Sequence, residues 1–318
     1  MRFRTVPRLI DKHGRVMRKL RVSLTDACNY QCFYCMPARP VFTRKGLLLE
    51  PSEYRALCGS LVAAGIEELR ITGGEPTVRP GFESILENLG GLPVRRKGIT
   101  SNGHLLAGHL RFLKANGWNS INISLDSLDP GRFASITGGG DFRTVMACIE
   151  KAAGLGLRVK VNSVVMRGVN DDELEDFTEW GARSGIEVRF LEYMRIGPDL
   201  ARHPQRFMSA EEMISALRRK YHLEPLRAAP DSTALLFGTD SGAKLGFIAS
   251  ESKAFCATCS RLRLSATGVL RACVMNPEGI SIRHASPDDL PGIFAKVMGM
   301  KPLIHPDSNP LPMHALGG

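Results

Sequence analysis

The chain has 318 residues, 43% of them apolar and 23% charged, the balance of a globular protein able to bury one large core or two smaller ones. No run approaches the ~20 apolar residues of a membrane span, and Met1–Pro7 lead into no secretory-type apolar segment, so a cytoplasmic protein with no membrane partner is expected. The net charge of +10 suits a phosphate-bearing partner, but the basic residues are scattered and aromatics make up only 7%, which argues against a nucleic-acid binder.

In chain order, six β-like runs alternate with helix-like or loop segments. The runs are 19–25, 67–72, 96–101, 119–125, 158–166 and 186–194, with amphipathic stretches near 51–64, 80–90, 104–116, 142–154 and 171–184. Pro51-Ser52-Glu53 and Asn170-Asp171-Asp172-Glu173 are helix-start signals, and Gly65, Gly117, Gly156 and Gly185 sit where helices should end. This alternation predicts parallel βα units. Six units fall short of a closed eightfold barrel, so the expected fold class is α/β, a partial (βα)6 TIM-type barrel over residues 1–204. From 205 to 318 an α+β extension is expected. It holds a helix over 210–221, short strands near 232–237 and 243–250, a Cys-bearing hairpin over 255–274 turning at Gly268, and a Pro- and His-rich tail ending in Gly317-Gly318.

Eight cysteines without a secretion signal read as metal ligands or free thiols. Cys28, Cys32 and Cys35 follow the first strand at the spacing C-x3-C-x2-C. Three thiolates on one loop can ligate three irons of a cubane and leave the fourth open to a reactant. A closed zinc site would want a fourth ligand nearby, and residues 36–57 hold no Cys or His. Cys256, Cys259 and Cys273 form a second triad, C-x2-C-x13-C; from that segment alone, an open cluster and a zinc knuckle completed by His284 or His222 are equally good readings. Cys58 and Cys148 fall in helix-like stretches and read as buried core thiols. Other reactive-looking groups also stand at strand ends, where α/β architectures gather their sites. Gly73-Gly74-Glu75-Pro76 follows the second strand, Ser101-Asn102-Gly103 the third, and Ser124-Leu125-Asp126 ends the fourth. The missing Cβ atoms of Gly73 and Gly74 would bring backbone close to a ligand. There is no P-loop motif to hold phosphates.

The first triad, with Tyr34 before its last Cys, and the stretch Gly73–Pro76 resemble the cluster loop and the S-adenosylmethionine (SAM) amino-group site of the radical SAM superfamily. Phe255–Leu264 is similar to the second-cluster segment of one branch, the GTP 3′,8-cyclase family of molybdenum cofactor biosynthesis. That resemblance runs nearly end to end, through Leu20–Asp26, Leu69–Pro76, Ile121–Asp126, Val159–Asp172 and Ile186–Met194 to the Gly-Gly end. It implies SAM and two 4Fe–4S clusters as cofactors, the first on Cys28, Cys32 and Cys35, the second on Cys256, Cys259 and Cys273. Tyr34, Gly73, Gly74, Glu75, Ser124, Arg189 and Met194 match SAM contacts. Arg21, Arg70, Thr100, Lys160, Arg261, Leu262 and Arg263 match GTP contacts, and Arg261, Arg263, Gly317 and Gly318 are implied in catalysis. The implied reaction is a lyase step in which a 5′-deoxyadenosyl radical takes the ribose 3′ hydrogen of GTP and C3′ then bonds to C8, giving 3′,8-cyclo-7,8-dihydro-GTP. An electron donor and a downstream enzyme accepting the product are implied partners, and a monomer or homodimer is expected. The alternative is a radical SAM paralogue with an auxiliary cluster acting on another nucleotide or a peptide. Two residues depart from the family pattern. Glu68 stands where a triphosphate-binding Lys is usual, and Arg195 is an unexpected cation, expected to offset it.

Overall fold

The computed structural model describes residues 8–317. Its first half alternates as expected: β1 (Lys19–Ser23), α1 (Pro51–Ala63), β2 (Glu68–Thr72), α2 (Phe82–Gly90), β3 (Arg96–Ser101), α3 (Leu110–Ala115), β4 (Ser120–Ser124), α4 (Pro130–Thr137), α5 (Phe142–Gly154), β5 (Arg158–Val165), α6 (Leu174–Ser184) and β6 (Glu187–Glu192). The second half runs α7 (His203–Arg206), α8 (Ala210–Arg218), β7 (Leu223–Leu226), β8 (Leu235–Thr239), β9 (Lys244–Ile248), β10 (Arg261–Leu264), β11 (Val269–Arg271), β12 (Ile280–Ser281), α9 (Leu290–Gly299) and α10 (Met313–Leu316).

Local chemistry explains the boundaries. Pro51 opens α1, where its missing N–H costs nothing, and the Glu53 carboxylate accepts from the Glu50 amide 2.7 Å away. Asp129 and Asp141 cap α4 and α5 through their side chains. Gly185 takes a left-handed φ of 68° at the end of α6. Gly268, at φ 86°, turns β10 into β11 as the hairpin reading requires. Helices α4 and α9 and strand β7 are additions to the sequence expectation.

The strands form one ladder in the order β12-β11-β10-β1-β2-β3-β4-β5-β6-β9-β8-β7. β1 to β6 pair in parallel, and β10 and β9 join their two flanks, also in parallel. The segment after residue 204 therefore extends both edges of the barrel sheet. Among the described residues, no pairing joins β12 to β7. Side chains alternate across this curved sheet. Leu20, Val22, Leu69, Ile71, Ile99 and Ile121 point outward and are at most 2% exposed under the helices. Each such burial contributes about 1.5–3 kcal/mol. The alternate positions, Arg21, Arg70, Thr100, Asn122, Lys160 and Arg189, therefore share the inner face. No helix among the described residues is long and apolar enough to cross a membrane.

Candidate active site

The inner face encloses a cavity of about 360 Å³ that both cysteine triads line. The Cys28–Cys35 loop leaves β1 and turns tightly, with the Cys35 and Met36 amides both donating to the Cys32 carbonyl at 3.0 Å. The Tyr30 amide and the Asn102 side chain donate toward the Cys28 sulfur at 3.4 and 3.8 Å, and the His314 amide addresses Cys35. Burial pushes the Cys28 thiol up to about 11 and Cys35 to about 12. Such thiols become ligands only when a bound metal's charge displaces their protons.

Gly73 and Gly74 hold this loop in place. A Cβ at Gly74 would lie 2.3 Å from the Ala27 carbonyl oxygen, and one at Gly73 would lie 2.6 Å from that of Thr25. The Gly74 and Glu75 amides donate to those same carbonyls at 2.7 and 2.8 Å. The space these glycines leave is filled by the cysteine loop itself, rather than being kept for a ligand alone. Glu75 is 1% exposed and accepts from Thr77, from the Ser101 hydroxyl at 2.9 Å and from the Asn102 amide at 2.7 Å, tying the β2 and β3 loops together. Tyr34 spends its hydroxyl on Asp126 at 2.7 Å. Burial raises Asp126 to about 6.

The second triad is built differently. Cys256 opens a 3-10 turn, Cys259 precedes β10, and Cys273 follows β11. Burial alone would raise Cys259, but Arg261 and Lys301 outweigh it and bring the thiol down to about 6, so it is an anion near neutrality. Arg261 Nη2 lies 3.5 Å from that sulfur, and its guanidinium stacks 4.5 Å from the Phe255 ring centre. Among the described residues, no three Cys, His, Asp or Glu side chains converge on one metal ion. The donor chemistry, three thiols per site around one cavity, suits a larger cluster in which each sulfur takes its own iron.

Between the triads lies a field of arginines. Strand register places Arg263, Arg21 and Arg70 side by side across β10, β1 and β2. Burial, then the charges of Arg263, Arg70, Arg261 and Arg189, drives Arg21 well below its ordinary value; burial brings Arg70 and Arg263 to about 10. Arg70 crosses β3 at Gly98, where a Cβ would lie 2.9 Å from its Nη2, and donates to the Ile99 carbonyl and the Ser120 hydroxyl at 3.1 Å. Cations so crowded call for a polyanion. Glu68 shares the face of Arg70 but pairs with Arg95 at 3.0 Å and Arg96 at 3.5 Å. Arg195 is committed to Glu251 at 2.9 Å, so it does not offset Glu68. Lys160 is held at 2.8 Å by Glu187, which also takes Arg189 at 2.7 Å.

Thr100 Oγ1, Asn122 Oδ1, Asn162 Oδ1 and Ser250 Oγ are buried on the cavity wall without partners. An unpaired buried polar atom costs roughly 1–3 kcal/mol, which a polar ligand would recover. These orphans fit SAM and a nucleoside.

Of the residues singled out from sequence, Cys28, Cys32, Cys35, Tyr34, Gly73, Gly74, Glu75, Thr100, Ser124, Arg189, Met194, Arg21, Arg261, Arg263, Cys256, Cys259 and Cys273 line the cavity. Arg70 and Lys160 stand behind that lining. Leu262 turns its side chain into the apolar core at 0% exposure, leaving only backbone for a ligand, because it alternates with Arg261 and Arg263. Gly317 takes φ 74° beside Ser23 and receives Arg263 Nη1 on its carbonyl. Gly318 lies outside the described residues. Asn122, Asn162 and Lys301 were not singled out from sequence. Only strand parity could have flagged the two asparagines, and Lys301 lies in the Pro- and His-rich tail with no motif around it.

A family model described as the radical SAM superfamily matches residues 22–181, and one described as Molybdenum Cofactor Synthesis C matches 186–303. A GTP 3′,8-cyclase of Synechocystis is 43% identical over 310 residues, 98% of this chain and 95% of that one. The mitochondrial GTP 3′,8-cyclase of Arabidopsis thaliana is 42% identical over 279 residues, 86% of this chain and 72% of that one. Among solved structures, Streptococcus suis SuiB bound to S-adenosylmethionine superposes with a TM-score of 0.65 at 13% identity, covering 90% of this chain and 69% of that one. At that identity the likeness speaks for the fold.

Proposed function

This chain belongs to the GTP 3′,8-cyclase family of the radical SAM superfamily, and we propose that its cavity converts GTP to 3′,8-cyclo-7,8-dihydro-GTP, the first step of molybdenum cofactor biosynthesis. One observation carries the reading: two thiol triads of different construction face one cavity, with a row of arginines on its wall. Cys28, Cys32 and Cys35 would hold the first 4Fe–4S cluster beside SAM, and Cys256, Cys259 and Cys273 the second. When bound, the first cluster and SAM would supply the one-electron chemistry needed to remove the ribose 3′ hydrogen.

The chain's own residues do the rest. Arg21, Arg261 and Arg263 draw in and orient the triphosphate, since guanidinium forks match phosphate oxygens, and Arg70 adds its charge from behind them. Thr100, Asn122, Asn162 and Ser250 offer unpartnered polar atoms to the nucleoside and to SAM. The Glu75 clamp keeps the cysteine loop and the β3 loop at fixed spacing, which matters because radical chemistry tolerates little misplacement. Gly317, received by Arg263, brings the tail against the wall beside Ser23. We further propose that the barrel ends near residue 204 and that later segments supply the second site. A cytoplasmic setting, an electron donor and an enzyme that accepts the cyclic product complete the reading.

Anaerobic reconstitution tests it. The intact chain should bind close to eight irons and form cyclised product from GTP and SAM. Cys28→Ala should abolish 5′-deoxyadenosine formation, whereas Cys256→Ala should keep the first cluster and lose cyclisation. Stoichiometric zinc at the second triad in protein purified without oxygen would overturn the assignment.

A further inference from the structure

Two buried cations stand behind the second triad, and they are balanced differently. Arg15 is 8% exposed and donates Nε to Asp11 at 2.6 Å, so its charge has a carboxylate partner. Its other nitrogens reach the carbonyls of Cys256 and, at 3.0 Å, Pro302. Lys301, just past α9, is 2% exposed. Its Nζ donates to the Arg261 carbonyl at 2.7 Å and the Ala272 carbonyl at 2.8 Å. These carbonyls lie two residues after one cysteine of the triad and one residue before another. Beyond burial, the groups that bear most on Lys301 are the Cys259 sulfur, through both charge and a hydrogen bond, the Cys273 sulfur and Arg261. A buried ammonium held by neutral carbonyls has to find its counter-charge nearby, and here the triad's own sulfurs supply it. A cluster on those sulfurs would keep the negative charge in that place.

We propose that Lys301 is a positioning residue of the second cluster: it supplies the counter-charge behind Cys259 and Cys273 and raises that cluster's reduction potential. The inference rests on the assignment of a 4Fe–4S cluster to this triad. An oxidised 4Fe–4S core with three thiolates carries one net negative charge, and one electron added on reduction makes it two, with no bond made and no proton moved. A fixed cation beside the sulfurs favours the more negative state, so the couple moves to higher potential; charge and hydrogen bonds to sulfur are among the levers that set such potentials. The role is separate from substrate binding, because Lys301 lies behind the cysteines and does not line the cavity.

The test uses the full chain with Cys28→Ser, Cys32→Ser and Cys35→Ser as parent, so that only the second triad can load. After anaerobic reconstitution with iron and sulfide, iron is counted and the cluster is titrated with dithionite, followed by electron paramagnetic resonance. Lys301→Met should titrate at lower potential than the parent, and Lys301→Arg should return it toward the parent's value. An unchanged or higher potential in a fully loaded Lys301→Met overturns the role. If Lys301→Met fails to load, the iron-free chains decide by thermal melting. An equal or higher melting point than the iron-free parent supports the proposal, since the cation is then needed only when the cluster is present. A lower one makes Lys301 a plain backbone tie and overturns it. A parent that takes up no iron would refute the cluster assignment itself, whatever the Lys301 variants do.

Discussion

Glu68 offers the sharpest quantitative test of how this chain handles a triphosphate. Its carboxylate sits 3.0 Å from Arg95 and 3.5 Å from Arg96, both more than half exposed. It also bears electrostatically on Arg70, whose guanidinium is fixed by Ile99 and Ser120. Pairs with arginines this exposed contribute roughly 0.2–1 kcal/mol each, so Glu68→Gln should lower the melting point slightly and Glu68→Lys, which sets a cation against Arg95 and Arg96, somewhat more. Binding should respond more. For a phosphate ~8 Å away at an effective ε of ~40, 332/(εr) gives about 1 kcal/mol per unit charge. Gln removes one repulsive charge and Lys reverses it, so GTP should bind several-fold tighter to the first and about 30-fold tighter to the second. Guanosine, which carries no phosphate, should bind all three alike. Anaerobic calorimetry at low and high salt measures this, and salt should shrink the differences. Equal GTP affinity across the three proteins would refute the reasoning, and weaker binding in Glu68→Lys would point to a different substrate.

Gly74→Ala should drive the new Cβ into the Ala27 and Asp26 carbonyls, where it would lie 2.3 and 2.5 Å away. Overpacking against backbone costs about 1–3 kcal/mol; the expected result is loss of the first cluster's iron with the second retained, and a full complement of iron with normal SAM cleavage would defeat it. Deleting Gly317 and Gly318 should leave iron content unchanged and the melting point nearly so, while cyclisation collapses; wild-type turnover would make the tail a bystander. Asp231, bonded to Ser260 at 2.5 Å and Lys19 at 2.9 Å, is held down to about 2 because these partners outweigh the effect of burial. A depressed carboxylate stabilises the fold above its unfolded value near 4 and loses that contribution as pH falls toward 2, so Asp231→Asn should cost about 2 kcal/mol at pH 7. The gap should close in acid melts, and a pH-independent difference would contradict it.

How much of this could be read from the chain depended on whether a signal was local. The six barrel strands and both triads were legible because strand parity and thiol spacing are short-range patterns. Helix α4 was not, although Asp129 and Pro130 are a start signal of the kind that marks α1: it is only eight residues long, with Gly131 in its first turn and Gly138 at its end. Helix α9 hid for a similar reason, with Pro291 and Gly292 in its first turn inside a Pro-rich tail. β7 contains Pro225, tolerable only because the strand lies at the sheet edge. The cavity wall was half legible. Its arginines are matched only through the family resemblance, since each alone reads as a surface charge, and Asn122 and Asn162 gain meaning only once the sheet curves and leaves them unpartnered. The role of Gly73 and Gly74 was read as room for a ligand, when much of that room belongs to the carbonyls of a loop nearly fifty residues earlier.

Parallel docking of β10 against β1 fixes the relation between the two triads. Cys28 lies beyond the C-terminal end of β1, whereas Cys259 lies just before the N-terminal end of β10, which runs in the same direction. The antiparallel return of β11 brings Cys273 back to the Cys259 end. The triads therefore sit at opposite ends of one strand pair. Five residues of strand at ~3.3 Å each put them on the order of 15 Å apart. Arg21 and Arg263, paired in register, lie between those ends. A small substrate could touch only one triad. On the proposed reading, a nucleotide would present its base at the β10 entrance and its ribose at the exit of β1, with its phosphates toward the arginines. On that reading the second triad would anchor the end of the substrate away from the radical, and the pairing of β10 with β1 is what lets its cysteines line the same cavity as the first.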